Sequence, residues 1–105
     1  MSKTANYNVI ISDRAKQMLG VNIKFLAQAS PEGALKLKDN LLKAIRSLEL
    51  MPQRCPFFNE PYIPSNKYHK LVVQDRYIIL FQIKDSNVYV DYVLDCRQDY
   101  QWLIY

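Results

Sequence analysis

Two runs of apolar β-formers, Tyr77–Ile83 and Val88–Leu94, stand on either side of the turn-forming string Lys84-Asp85-Ser86-Asn87. A third, shorter run, His69–Val73, precedes them across Gln74-Asp75. Strand-length apolar runs separated by two to four polar turn residues specify a three-stranded antiparallel meander. Arg97, Asp99, Tyr100 and Trp102 follow at once. The meander therefore ends in a group of cationic and aromatic side chains at one edge of a sheet.

The rest of the chain supplies what the meander packs on. Tyr7–Ile11 reads as a short strand that stops at Ser12-Asp13, a helix N-cap pair. From Asp13 to about Ala29, Ala15, Met18, Leu19, Asn22, Phe25, Leu26 and Ala29 share one helical face. Ser30-Pro31-Glu32 starts a second helix: a capping hydroxyl, a proline at the first helical position and an acid against the positive end of the dipole. Ala34, Leu37, Leu41, Ile45 and Leu48 form its stripe, and the pattern runs to about Leu50. Met51–Ser65 holds Pro52, Pro56, Pro61 and Pro64, which rule out a helix or a central strand there. Phe57, Phe58, Tyr62 and Ile63 give this loop groups to bury.

The expected fold is α+β, in the order β-α-α-β-β-β. A helical hairpin packs on one face of a small antiparallel sheet and leaves the other face open. At 105 residues this is one domain. Strand alternation assigns Tyr77, Ile79, Phe81 and Ile83 to the helix side, and Arg76, Ile78, Leu80, Gln82 and Lys84 to the open side. In the last strand it sets Val88, Val90, Tyr92 and Leu94 against Tyr89, Asp91, Val93 and Asp95, with Asp91 and Asp95 marking the more exposed set.

Several chemistries are disfavoured. With two glycines there is no Gly-rich phosphate loop, and with two cysteines and one histidine a structural zinc site is not expected. Cys55 and Cys96 read as free thiols. No cofactor is expected. No apolar run reaches the ~18 residues needed to span a membrane, so a cytoplasmic protein is expected. The net charge of +4 fits an RNA, DNA or acidic protein partner, but it is too mild to select one.

The candidate site is Arg76, Arg97 and Tyr100, with His69 or Lys70. Guanidinium forks bind phosphate, His, Lys or Tyr can move the proton of a 2′-hydroxyl, and Tyr100 or Trp102 can stack on a base. Plainer readings fit the same residues. Arg76 can be a solvated edge charge, His69 a hydrogen-bonded, partly buried side chain, and Tyr100 and Trp102 the packing of the tail.

Taken together, several strings resemble the RelE/ParE superfamily of type II toxin–antitoxin toxins, known as plasmid stabilisation proteins. They are Ser12-Asp13-Arg14-Ala15, Ser30-Pro31-Glu32-Gly33-Ala34, Leu48-Glu49-Leu50-Met51-Pro52, Lys67–Ile83 and Tyr92–Ile104. The resemblance implies a toxin held inactive by a cognate antitoxin that folds on binding. RelE-like members cut mRNA on the ribosome, which makes a metal-independent, translation-inhibiting endoribonuclease the first expectation. ParE-like members inhibit DNA gyrase by protein binding, which is the alternative, beside a decayed homologue that only binds antitoxin. The RelE pattern maps its basic strand residues onto His69 and Lys70 and its C-terminal Arg and Tyr onto Arg97 and Tyr100. Its strand arginine maps onto Ile78, leaving Arg76 as the substitute on the same face.

Overall fold

A computed structural model of the chain describes residues 6–61 and 63–97. Strand β1, Asn8–Ile11, leads into helix α1, Asp13–Ala29, and helix α2, Pro31–Arg46. Short 3₁₀ turns at Ser47–Glu49 and Pro52–Arg54 follow, then strands β2 (His69–Val73), β3 (Tyr77–Lys84) and β4 (Asn87–Asp95). The expected order of elements is the one observed.

The two helices start where the caps place them. Ser12 accepts a hydrogen bond from the Ala15 amide at 3.0 Å, and Ser30 from that of Gly33 at 3.0 Å. Ser30 also ends α1, its own amide reaching the Leu26 carbonyl at 2.8 Å. One residue thus closes one helix and opens the next. The α2 stripe of Ala34, Leu37, Leu41, Ile45 and Leu48 is buried throughout. The α-helix gives way to a 3₁₀ turn after Arg46, four residues before the expected end at Leu50. On α1, Ala15, Met18, Leu19 and Leu26 face the core as expected, while Phe25 is 54% exposed and Ile23 packs inward instead.

The sheet runs β1-β4-β3-β2. The meander is antiparallel, and the turn between β2 and β3 holds Gln74 and Asp75 both at φ 56°, as a type I′ turn requires. The first strand, β1, pairs in parallel with β4, so the sheet is mixed where an antiparallel one was expected.

The helix side is as read: Tyr77, Ile79 and Phe81 are buried with Leu37, Leu41, Ile45 and Leu48. Two expectations about the other side are corrected. First, that face is not left open. Phe58 and Ile63, from the proline-rich segment, and Tyr68, just after it, cover Ile78, Leu80, Tyr92 and Leu94 in a second core. Second, β4 does not alternate throughout. Leu80 faces Tyr92 while Phe81 faces Val90, so Asp91 is an extra, bulged residue. Val88 and Val90 stay on the helix side, Tyr92 and Leu94 turn to the loop side, and Val93 joins the helices. The bulge also brings Asp95 to a buried position, where exposure was expected.

Candidate functional site

The end of the sheet where β3 begins and β4 finishes collects Arg76, Asp95, Cys96 and Arg97. Tyr77 lies opposite Asp95 in the ladder, and the Cys96 amide donates to the Arg76 carbonyl at 2.7 Å. Arg76 therefore enters β3 directly beside the end of β4. Its guanidinium grips the Asp95 carboxylate with two donors, Nε to Oδ1 at 3.1 Å and a terminal nitrogen to Oδ2 at 2.9 Å. It also packs against the Tyr77 ring, 5.0 Å from its centroid. Asp95 Oδ1 accepts a further bond from the Arg97 amide at 3.0 Å.

Burial alone would push the Asp95 carboxyl upward. The Arg76 donors, the Arg97 amide and both guanidinium charges outweigh it and hold the group below its ordinary value. The bond it donates to Asp95 outweighs desolvation at Arg76 and raises its guanidinium above its ordinary value. Asp95 thus stays ionised near neutrality, and the Arg76 fork is occupied by it. Arg97 is exposed, and among the described residues its guanidinium forms no ion pair.

His69 lies elsewhere, while Lys70 is near enough for its charge to act on the Cys96 thiol. His69 is opposite Phe81, and Lys70 opposite Leu80. Phe81 stands five residues along the chain from Arg76, so about 16 Å of strand separates His69 from Arg76. The His69 ring lies between Phe57 and Phe81, with centroids at 4.2 and 5.3 Å. Its Nδ1 is 2.7 Å from the Cys55 carbonyl, which can only accept, so the proton sits on Nδ1. Lys70 points to the opposite face, its Nζ 6.0 Å from the Phe58 ring centroid. Tyr100 and Trp102 lie outside the described residues. Of the five candidate residues, the structure brings Arg76 and Arg97 together around Asp95, places Lys70 within electrostatic reach of the neighbouring Cys96, and sets His69 apart on the other face.

Three further residues make contacts elsewhere on the sheet. Arg14 at the start of α1 bonds the Tyr92 hydroxyl and lies 4.7 Å from that ring's centroid. Gln82 donates to Asp91 at 3.0 Å. Burial, helped by the Asp91 carboxylate beside it, pushes the Tyr68 phenol up to about 12, too high for proton transfer near neutrality. Asp95 was the residue the sequence reading missed. Its signal was the Tyr77–Asp95 register, which becomes readable only once the bulge at Asp91 is counted. Among the described residues no group of three His, Cys, Asp or Glu side chains could hold a metal ion. No described helix is long and apolar enough to cross a membrane.

Residues 9–100 match the family model described as ParE toxin of type II toxin-antitoxin system, parDE. Among curated proteins none matches the chain. Among solved structures, a chain of the chromosomal ParDE TA system from P. aeruginosa superimposes with a TM-score of 0.71 at 12% identity, covering 85% of this chain and 95% of that one. At that identity the likeness is one of fold.

Proposed function

This chain belongs to the ParE toxin family of type II toxin–antitoxin systems, and from that premise we propose that it acts in the cytoplasm by binding and inhibiting DNA gyrase rather than by cutting RNA. Family membership carries with it a cognate antitoxin. The observation that carries the choice of target chemistry is the bidentate Arg76–Asp95 pair. A phosphate-binding fork must be free to receive an anion, and the Nε edge of this one is already taken by a buried carboxylate that also offsets its charge. Ile78, at the position of the RelE-type strand arginine, is buried in the second core. His69 is hydrogen-bonded to backbone about 16 Å along the strand from Arg76. The Arg76 fork and the His69 imidazole are therefore not assembled in one place. An exposed Arg97 at the end of the sheet suits recognition of a protein surface instead.

The antitoxin has a separate surface in this reading. The helical hairpin, residues 13–46, holds seven basic and three acidic residues, which accounts for the whole net charge of +4. Val21, Phe25 and Leu35 are exposed on it at 65%, 54% and 71%. Apolar side chains set among lysines suit an acidic amphipathic segment that folds on binding.

Inducing the chain in cells, then reading plasmid topology and mRNA 5′ ends together, tests the reading. Gyrase inhibition gives relaxed or cleaved plasmid with intact mRNA. Cuts in translated mRNA with normal plasmid topology overturn it and restore the RelE-type alternative.

A further inference from the structure

We propose that Asp95 is a positioning residue: held by Arg76, it fixes the Cys96-Arg97 turn so that the Arg97 guanidinium is presented to the toxin's target. This rests on the reading that the end of the sheet is the target-binding surface. Three observations carry it. Asp95 is the only charged residue among the buried described residues, and strand-end register alone does not require a carboxylate there. Both carboxylate oxygens are engaged: Oδ2 by Arg76, and Oδ1 by Arg76 and by the amide of Arg97. The Arg76 carbonyl holds the intervening residue through the Cys96 amide at 2.7 Å. Successive residues at 95, 96 and 97 are thus each tied back to Arg76, directly or through Asp95. Residues 95–97 are thereby held against the sheet end while Arg97 stays exposed.

A buried charge satisfied in this way is costly to desolvate and adds little net stability over an apolar replacement. Its benefit lies in fixing geometry. A guanidinium reaching a partner's carboxylate or carbonyl gains most when its backbone is already immobile, because less freedom is lost on binding. The Asp95 clamp supplies that immobility.

The test compares Asp95→Ala, Asp95→Asn, Arg97→Ala and the double variant Asp95→Ala/Arg97→Ala. Three quantities are read: the inducer level giving half-maximal growth arrest, the affinity for the cognate antitoxin, and the thermal midpoint. A positioning role predicts that Asp95→Ala raises the inducer level about tenfold, with antitoxin affinity within about twofold of the parent. It also predicts that the double variant is no weaker than Arg97→Ala alone, because both changes remove one contact. Asp95→Asn keeps an acceptor for the Arg97 amide and loses the charge, so about a threefold rise is expected. It decides the matter if Asp95→Ala does not fold. Loss of antitoxin affinity in parallel with arrest, or additive effects of Asp95→Ala and Arg97→Ala, overturns the proposal in favour of a purely structural role. An unaffected Arg97→Ala overturns it as well. Growth arrest with unaltered plasmid supercoiling rejects gyrase as the target but leaves this comparison fully readable.

Discussion

Arg76 and Asp95, nineteen residues apart in the chain, meet through two parallel hydrogen bonds of 3.1 and 2.9 Å at the end of the sheet. The pair converts a residue that looks like a phosphate ligand into part of the scaffold. Much of the functional reading depends on that exchange of roles.

The pair has a measurable acid signature. The Asp95 carboxyl titrates below its ordinary value of 3.8 in the folded chain. A depressed folded value means the stability it contributes is present above the ordinary value and is lost as pH falls through the folded one. Urea midpoints should therefore fall as pH drops below the ordinary carboxyl value of 3.8, and Asp95→Asn should flatten that limb. At neutral pH, Arg76→Ala leaves a buried carboxylate without its partner and should cost about 3 kcal/mol.

His69→Phe should retain growth arrest. The ring stack on Phe57 and Phe81 is kept, and only the bond to the Cys55 carbonyl is lost, at a cost of about 1 kcal/mol. A nuclease using His69 for proton transfer would lose arrest entirely, so induction of this one variant separates the two chemistries.

The cover on the second sheet face should behave as core. Phe58 is 4% exposed and Leu80 is fully buried. Phe58→Ala and Leu80→Ala should each cost about 3 kcal/mol in urea unfolding. Because the two share one cluster, the double variant should lose less than the sum. An exposed sheet face, as the alternation alone suggested, would make Phe58→Ala nearly neutral.

The two glycines should respond differently to alanine. A Cβ at Gly20 meets nothing within 4 Å, so Gly20→Ala should raise stability by about 0.5–1 kcal/mol through helix propensity. A Cβ at Gly33 would sit 2.8 Å from the Ser30 hydroxyl that caps α2. Gly33→Ala should therefore gain nothing, and Ser30→Ala should cost about 1 kcal/mol. Thermal unfolding of the three variants checks all of these.

What was legible in the sequence follows from which interactions are local. The α2 stripe and the double duty of Ser30 depend on residues three or four apart, and both are found as read. The helix side of β3 follows from strict alternation. Alternation fails in β4 because the bulge at Asp91 shifts every later residue to the opposite face. The second core was missed because its cover, Phe58, Ile63 and Tyr68, comes from a segment without regular structure, whose docking no periodicity records. The Arg76–Asp95 pair was missed for the same reason as the face of Tyr92: both need the bulged register. Tyr100 and Trp102 lie beyond the described residues, so their part in the candidate site rests on the sequence alone.

A reconstituted assay reaches the central claim most directly. Purified chain, freed from antitoxin, is added to DNA gyrase with relaxed plasmid and, in parallel, to cell-free translation of a defined mRNA. Loss of supercoiling with undiminished protein synthesis and full-length mRNA is the expected result. Arrested synthesis with cut mRNA, while supercoiling proceeds, would contradict it.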